Sequence, residues 1–265
     1  TQCEPAFPDG TDVEVELGAE CRDPATCAGR ELGVTNNGTT TRIDTTADNG
    51  GTGAASYEPV TLRFGPNAEA PLVLEYSDAG MLQLHARYNP IDDGSGSPPV
   101  VEYVTGSSND FAWRPFGFLI EVTGNPGATD ATGPGFQASG TSFDLTVTAK
   151  AYQGGDDDGS PSGTADDGVP DGFGDGDATN NTDLSDNLDT PNFGQESVAE
   201  TVDVGHTLFR PSGGNDVPLN PSDPLTVSGF ATGSATSTAS WPEVGIIELT
   251  GTLTDGAYLD TGEDA

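Results

Sequence analysis

The chain has 265 residues, with 43 Asp and Glu against 8 Lys and Arg, a formal net charge of -35. Nucleic acid is excluded as a partner, since binding a phosphate backbone takes a cationic face, and an anionic membrane surface would repel the chain for the same reason. Such a charge suits saline or extracellular medium, where it maintains solubility and attracts divalent cations.

Hydrophobic residues are 33% of the chain, gathered in short runs that can each build a core. None approaches the roughly 20 apolar residues of a membrane helix, so no membrane insertion is expected. With no initiator Met and no signal peptide at its start, the sequence reads as a processed or excised piece.

In chain order, the first feature is a set of three cysteines, Cys3, Cys21 and Cys27. "CRDPATC" closes a small loop if Cys21 and Cys27 are bridged in an oxidising compartment. Cys3 is then free or paired outside the fragment; the alternative joins it to Cys21 or Cys27 across a larger loop. Zinc is the weaker reading, because a fourth ligand is missing and both histidines are distant in sequence.

Period-two alternation follows almost throughout, bounded by Gly, Pro, Asn and Asp, with hardly any helical periodicity. The runs are "TDVEVELG", "VTLRF", "PLVLEY", "MLQLHARY", "FGFLIEVTG", "FDLTVTAKAY", "TVDVGHTLF", "PLTVSGF" and "VGIIELTGTL". Val13, Val15 and Leu17 fall on one face of the first, Glu14 and Glu16 on the other. One buried and one wet face per strand predicts antiparallel sheets stacked as sandwiches.

An internal repeat supports two such units. "YSDAGMLQLHA" (76–86) aligns without a gap to "WPEVGIIELTG" (241–251), an acidic turn ending in glycine and leading into a strand. The predicted fold is therefore all-β, two tandem immunoglobulin-like β-sandwich domains. The boundary is placed near residue 108, at "TGSSND", giving 1–108 and 109–265, with "FAWRPFGFLIEV" opening the second domain.

A long Asp/Gly-rich insert, 154–187, interrupts the second domain after "FDLTVTAKAYQ". It holds ten aspartates and no glutamate, whereas generic acidic disorder mixes Glu, Lys and Ser. Short carboxylates interleaved with Gly and Asn suit a calcium loop, in which carboxylates and carbonyls converge on a hard cation. The core from Asp166 to Asp171 resembles the Asp-Gly-x-Pro-Asp unit of thrombospondin type 3-like calcium repeats. The candidate calcium ligands are Asp156, Asp158, Asp166, Asp167, Asp171, Asp175, Asp177 and Asp183. The EF-hand spacing is not met, and the bland alternative is a solvated acidic loop.

Several uncommon strings then occur in one order: "ECRDPATCAG", "LEYSDAGMLQLHARY", "RPFGFLIEVTGNPGA", "GTSFDLTVTAKAYQ", "DDGVPDG", "DLSDNLDTPNFGQE" and "SWPEVGIIELTGTL". Together they resemble the C-terminal region of MshQ-like proteins. Those proteins are associated with biogenesis of the mannose-sensitive haemagglutinin pilus, a type IV pilus of marine Gram-negative bacteria. That region of the family is a domain of unknown function, often beside a lectin-like concanavalin A-type domain whose signature is not visible here. The resemblance implies export to the cell surface and a process, without a chemical activity.

No catalytic set is read from the sequence. His85 and His206 lie in strand patterns and are taken as surface or satisfied strand residues, with His85 opposite the leucines of its strand. No nucleophile elbow, His-Glu metal motif or phosphate loop occurs, and carboxylates are too abundant for any pair to point to a glycosidase. Trp113, Trp241, Tyr57, Tyr76 and Tyr103 suit either sandwich cores or a sugar platform. Asn37 and Asn180 match the glycosylation acceptor pattern.

The expectation is thus a non-enzymatic extracellular structural or adhesive stalk module of a pilus-associated surface protein, stabilised by calcium. Its expected partners are pilus or other surface-protein subunits, with self-association through edge strands. The alternative is a calcium-dependent carbohydrate-binding module, for which surface glycans are the partner.

Overall fold

The computed structural model describes residues 7–27, 29–89, 103–130, 132–153 and 183–261. Among them the chain is all-β, apart from two single-turn 3-10 segments. It divides into two compact units, Thr1–Trp113 and Arg114–Ala265.

The first unit is built from β1 (Asp12–Asp23), β2 (Glu31–Asn36), β3 (Thr39–Thr46), β4 (Glu58–Arg63), β5 (Val73–Tyr76), β6 (Gly80–Tyr88), β7 (Val104–Ser107) and β8 (Phe111–Trp113). One layer runs β4-β1-β6, with β7 and β8 both on the far side of β6; the other runs β5-β2-β3. The layers are joined where Ala19 and Glu20 of β1 pair in parallel with Thr45 and Thr46 of β3. Val15, Leu17, Ala19 and Cys21 point from β1 into the core, meeting Leu32, Val34, Ile43, Val60, Leu62, Tyr76 and Leu82. The alternation in "VEVELGAEC" thus becomes the inner face of a sheet.

The β2–β3 hairpin turns at Asn37 (φ 48) and Gly38 (φ 77). Two consecutive left-handed residues are what a tight two-residue hairpin needs, and Asn-Gly adopts them at little cost.

The second unit stacks two three-stranded sheets. One has the order β13-β10-β9, with β9 at Gly117–Val122, β10 at Ser142–Lys150 and β13 at Ser234–Ser240. The other has the order β12-β11-β14, with β11 at Val202–Arg210, β12 at Leu225–Val227 and β14 at Ile246–Leu253. Leu145, Val147 and Ala149 of β10 are buried, as are Val202 and Val204 of β11, Val227 of β12 and Leu253 of β14. The sheets approach closely at Gly251, where an added Cβ would lie 3.2 Å from Phe118 Cβ.

The two copies of the internal repeat occupy equivalent places. Tyr76 and Trp241 are each buried, 7% exposed. Tyr76 ends its strand and Trp241 directly follows its own, and each leads, through the acidic turn, into a strand paired elsewhere: β5 pairs β2 but β6 pairs β1; β13 pairs β10 but β14 pairs β11. The glycine is required by close approach, since a Cβ at Gly80 would lie 2.9 Å from Asp23 O and one at Gly245 2.3 Å from Arg210 O.

Two expected boundaries move. Phe111–Trp113 belong to the first unit, because β8 pairs with Gly80–Leu82 of β6 and Trp113 packs edge-on to Tyr76. The division therefore falls after Trp113 rather than near 108. The expected insert also ends earlier than residue 187: Leu184–Asp186 form a 3-10 turn with Leu184 buried, and Asn187 is buried too.

Candidate functional site

The root of the acidic insert is closed by the fold. On the β13 side of β10, beyond Ser234 where β13 begins, residues 188–190 continue the pairing. Ala149 N donates to Gly233 O, Thr190 N to Ala149 O and Ala151 N to Leu188 O, and Lys150 forms a bridge with Asp189. Gly233 makes room for this continuation, since a Cβ there would sit 2.4 Å from Thr190 O. Asn187 Nδ2 donates to Ala151 O at 3.0 Å and Gln153 Nε2 to Asp186 Oδ2 at 3.4 Å. The insert thus leaves and rejoins the sheet at adjacent points.

Lys150, the chain's one lysine, sits in this root and is only 6% exposed. Alternation turns it away from Leu145, Val147 and Ala149. Its Nζ donates to Asp189 Oδ1 at 2.7 Å and to the Asn187 carbonyl at 3.1 Å.

Of the expected calcium ligands, Asp156, Asp158, Asp166, Asp167, Asp171, Asp175 and Asp177 lie outside the described residues. Asp183 lies within them and caps the 3-10 turn, accepting from Ser185 N at 3.0 Å. Hydrogen bonds from the Ser185 side chain and backbone hold its carboxyl below the usual aspartate range. Among the described residues, no group of three or more His, Cys, Asp or Glu side chains is placed to hold a metal ion.

Beyond the root, 191–201 carry no strand, yet Asn192, Phe193 and Glu196 among them are buried. Phe193 is fully buried among Phe118, Phe230 and Tyr258, with ring centroids at 5.4, 4.9 and 6.1 Å. Gly194 (φ +78) allows the close turn, since a Cβ there would lie 2.3 Å from Phe230 Cβ. Tyr258 donates its hydroxyl to the buried Glu196 at 2.7 Å. Burial pushes the Glu196 carboxyl above its ordinary value, against the lowering effect of the Tyr258 hydrogen bond.

In the first unit, Cys21 and Cys27 are bridged with their Cα atoms 6.0 Å apart, an ordinary span for a disulfide. Cys3 lies outside the described residues. The outer face of the same strand carries a polar node that sequence reasoning missed. Glu20 and His85, 0% and 1% exposed, meet through Oε2 and Nε2 at 2.7 Å, and His85 Nδ1 faces Ser107 Oγ at 2.8 Å. The loop after β3 covers them: Asn49 N and Gly51 N donate to Glu20 Oε1 at 2.6 and 3.1 Å. Gly18 admits that loop, because a Cβ there would meet Ser56 O at 2.4 Å. The face expected to be wet is therefore dry at Glu20 and His85, and His85 is a satisfied core residue. His206 in the second unit is flanked by Asp216 and Asp223 at 3.0 and 3.1 Å.

The aromatic candidates resolve mostly into packing. Trp241 donates to Val217 O at 2.8 Å, and Tyr76 packs edge-on to Trp113 at 5.6 Å. Tyr57 and Tyr103 take the Arg87 guanidinium over their rings at 4.2 and 4.6 Å. Asn37 is a hairpin-turn residue, and Asn180 lies outside the described residues.

Comparison with protein families is specific to the two units. A family model described as the first Ig-like domain of DUF6701, a domain of unknown function, matches residues 1–102. A second, described as DUF6701, second domain, matches residues 114–240. No curated protein matches the chain, and no solved structure does.

Proposed function

This chain belongs to the DUF6701 family, and we propose that it serves as an extracellular structural and adhesive stalk module of a pilus-associated, MshQ-like surface protein, its insert held by calcium. The observation that carries the reading is the disulfide-bridged Ig-like unit followed in tandem by a second β unit. Disulfides persist in oxidising compartments, which supports an exported chain. A sandwich most of whose aromatics and one of whose histidines are spent on packing suits a spacer. The insert, gathered at its root and rich in aspartate, is the part suited to bind calcium.

In a Gram-negative bacterium that carries the gene, a tagged chain should be labelled on intact cells by a membrane-impermeant reagent and recovered with sheared pili. A chain confined to the cytoplasm, with Cys21 and Cys27 as free thiols, would overturn the reading. Retention of sugars on a glycan array, abolished by chelator, would favour a calcium-dependent carbohydrate-binding module instead.

A further inference from the structure

We propose that Lys150 and Asp189 condense into an intramolecular isopeptide bond that seals the root of the insert. The inference goes beyond the stalk reading and stands whatever the chain is attached to.

The choice of residue is the first reason. Seven of the eight cations are arginine, and arginine, planar, bidentate and weakly hydrated, is the better partner where a carboxylate only has to be paired; here the lysine side chain is buried while that of Asp189 is 56% exposed. Lysine differs in having a compact primary amine that becomes nucleophilic once it gives up its proton. The single lysine is kept at a position 6% exposed, where charged side chains are rare unless committed to a partner.

Geometry is the second reason. Nζ lies 2.7 Å from Asp189 Oδ1, and the Asn187 carbonyl holds it from another side at 3.1 Å. Both backbones are fixed opposite each other by the Lys150–Asp189 bridge and by the flanking bonds Ala151 N to Leu188 O and Thr190 N to Ala149 O. Reactants held in this way gain the large effective concentration of an intramolecular reaction, so little reorganisation stands between contact and attack.

The step balances without a co-reactant. A proton passes from the ammonium to the carboxylate; the amine lone pair attacks Asp189 Cγ; the N–C bond forms and a C–O bond breaks. The departing oxygen takes the transferred proton and a second one from nitrogen, and leaves as water. The product is an amide that closes residues 150–189 into a covalent loop.

The test uses the full chain, folded and then reduced and denatured. Its intact mass should be lower than the sequence mass by one water. A lysine-specific endoprotease, with one possible site in the whole chain, should leave it uncut. Asp189→Ala should restore the full mass and give the fragments 1–150 and 151–265, and Lys150→Arg should restore the full mass while staying uncut. A wild-type chain of full mass that is cleaved after Lys150 overturns the proposal, and this readout needs no variant to fold. A deficit of one ammonia instead of one water also overturns it, because the acceptor would then be an amide such as Asn187.

Discussion

At Glu20 burial and ionisation pull in opposite directions. Burial raises its pKa, but the N–H groups of Asn49 and Gly51 and the His85 ring outweigh that and hold it at about 2. A carboxylate accepts and never donates, so the His85 nitrogen facing it carries the hydrogen. A carboxyl depressed from its ordinary 4.5 contributes stability that is fully present above that value. It is lost as pH falls from 4.5 towards 2, on the order of 3 kcal/mol for such a shift. Chemical unfolding of the wild type and Glu20→Gln between pH 7 and pH 2 should therefore converge in the acid range, with the variant weaker at neutral pH. Parallel curves would disprove the account. Glu196 has the opposite sign. Its pKa is raised by burial, so the folded state prefers the protonated form, and its contribution declines as pH rises above 4.5. Glu196→Gln keeps an acceptor for Tyr258 and removes the buried charge. It should stabilise the second unit at pH 7 by roughly 1 kcal/mol, and a loss of stability there would refute it.

At the scale of elements, the stretch around Phe193 enters the core of the second unit without any regular structure. Phe193→Ala removes a fully buried ring from among three others and should cost about 3–5 kcal/mol in urea unfolding. Gly194→Ala should be damaging too, because it places a Cβ against Phe230 at a positive φ. If either is neutral, the segment does not plug the core. This part was illegible in the sequence because it has no period: "TPNFGQE" exposes one ring to view and none of its partners. β4 and the first halves of β1 and β10, where one face is wet, were legible, since alternation reports a difference between two environments. β2 and β3 were not, because "ELGVTN" and "TTTRIDTT" place single apolar residues among Gly and Thr. Their strongest signal, Asn37-Gly38, also fits a glycosylation pattern. Glu20 and His85 escaped for another reason. They lie 65 residues apart, and a loop distant from both makes their face dry, so local alternation assigned it to solvent. Lys150 could be noticed as the only lysine, yet the Asp opposite it is separated by the whole insert.

For the molecule as a whole, 43 acidic side chains against 8 basic ones leave cohesion to the cores of the units and to whatever counter-charge the medium supplies. Each unit has its own apolar centre, so each should fold when expressed by itself. Where the cut falls decides the outcome. Ending the first unit at 108 discards β8, which pairs with Gly80–Leu82. It also strips Phe111 and Trp113, packed edge to face at 4.7 Å, from the Tyr76 edge of the core. The exposed stretch of β6 would then lose backbone partners and aromatic cover at once. Losing about 2 kcal/mol of apolar burial lowers the melting temperature of a domain this size by roughly 10 °C. Thermal melts of 1–113 and 1–108 under identical salt should therefore separate by about that margin, with 1–113 the more stable. Equal melting temperatures would mean that β8 adds nothing to the first unit. The complementary piece 114–265 should fold with an unchanged aromatic signature, because β8 pairs only with β6 among the described strands.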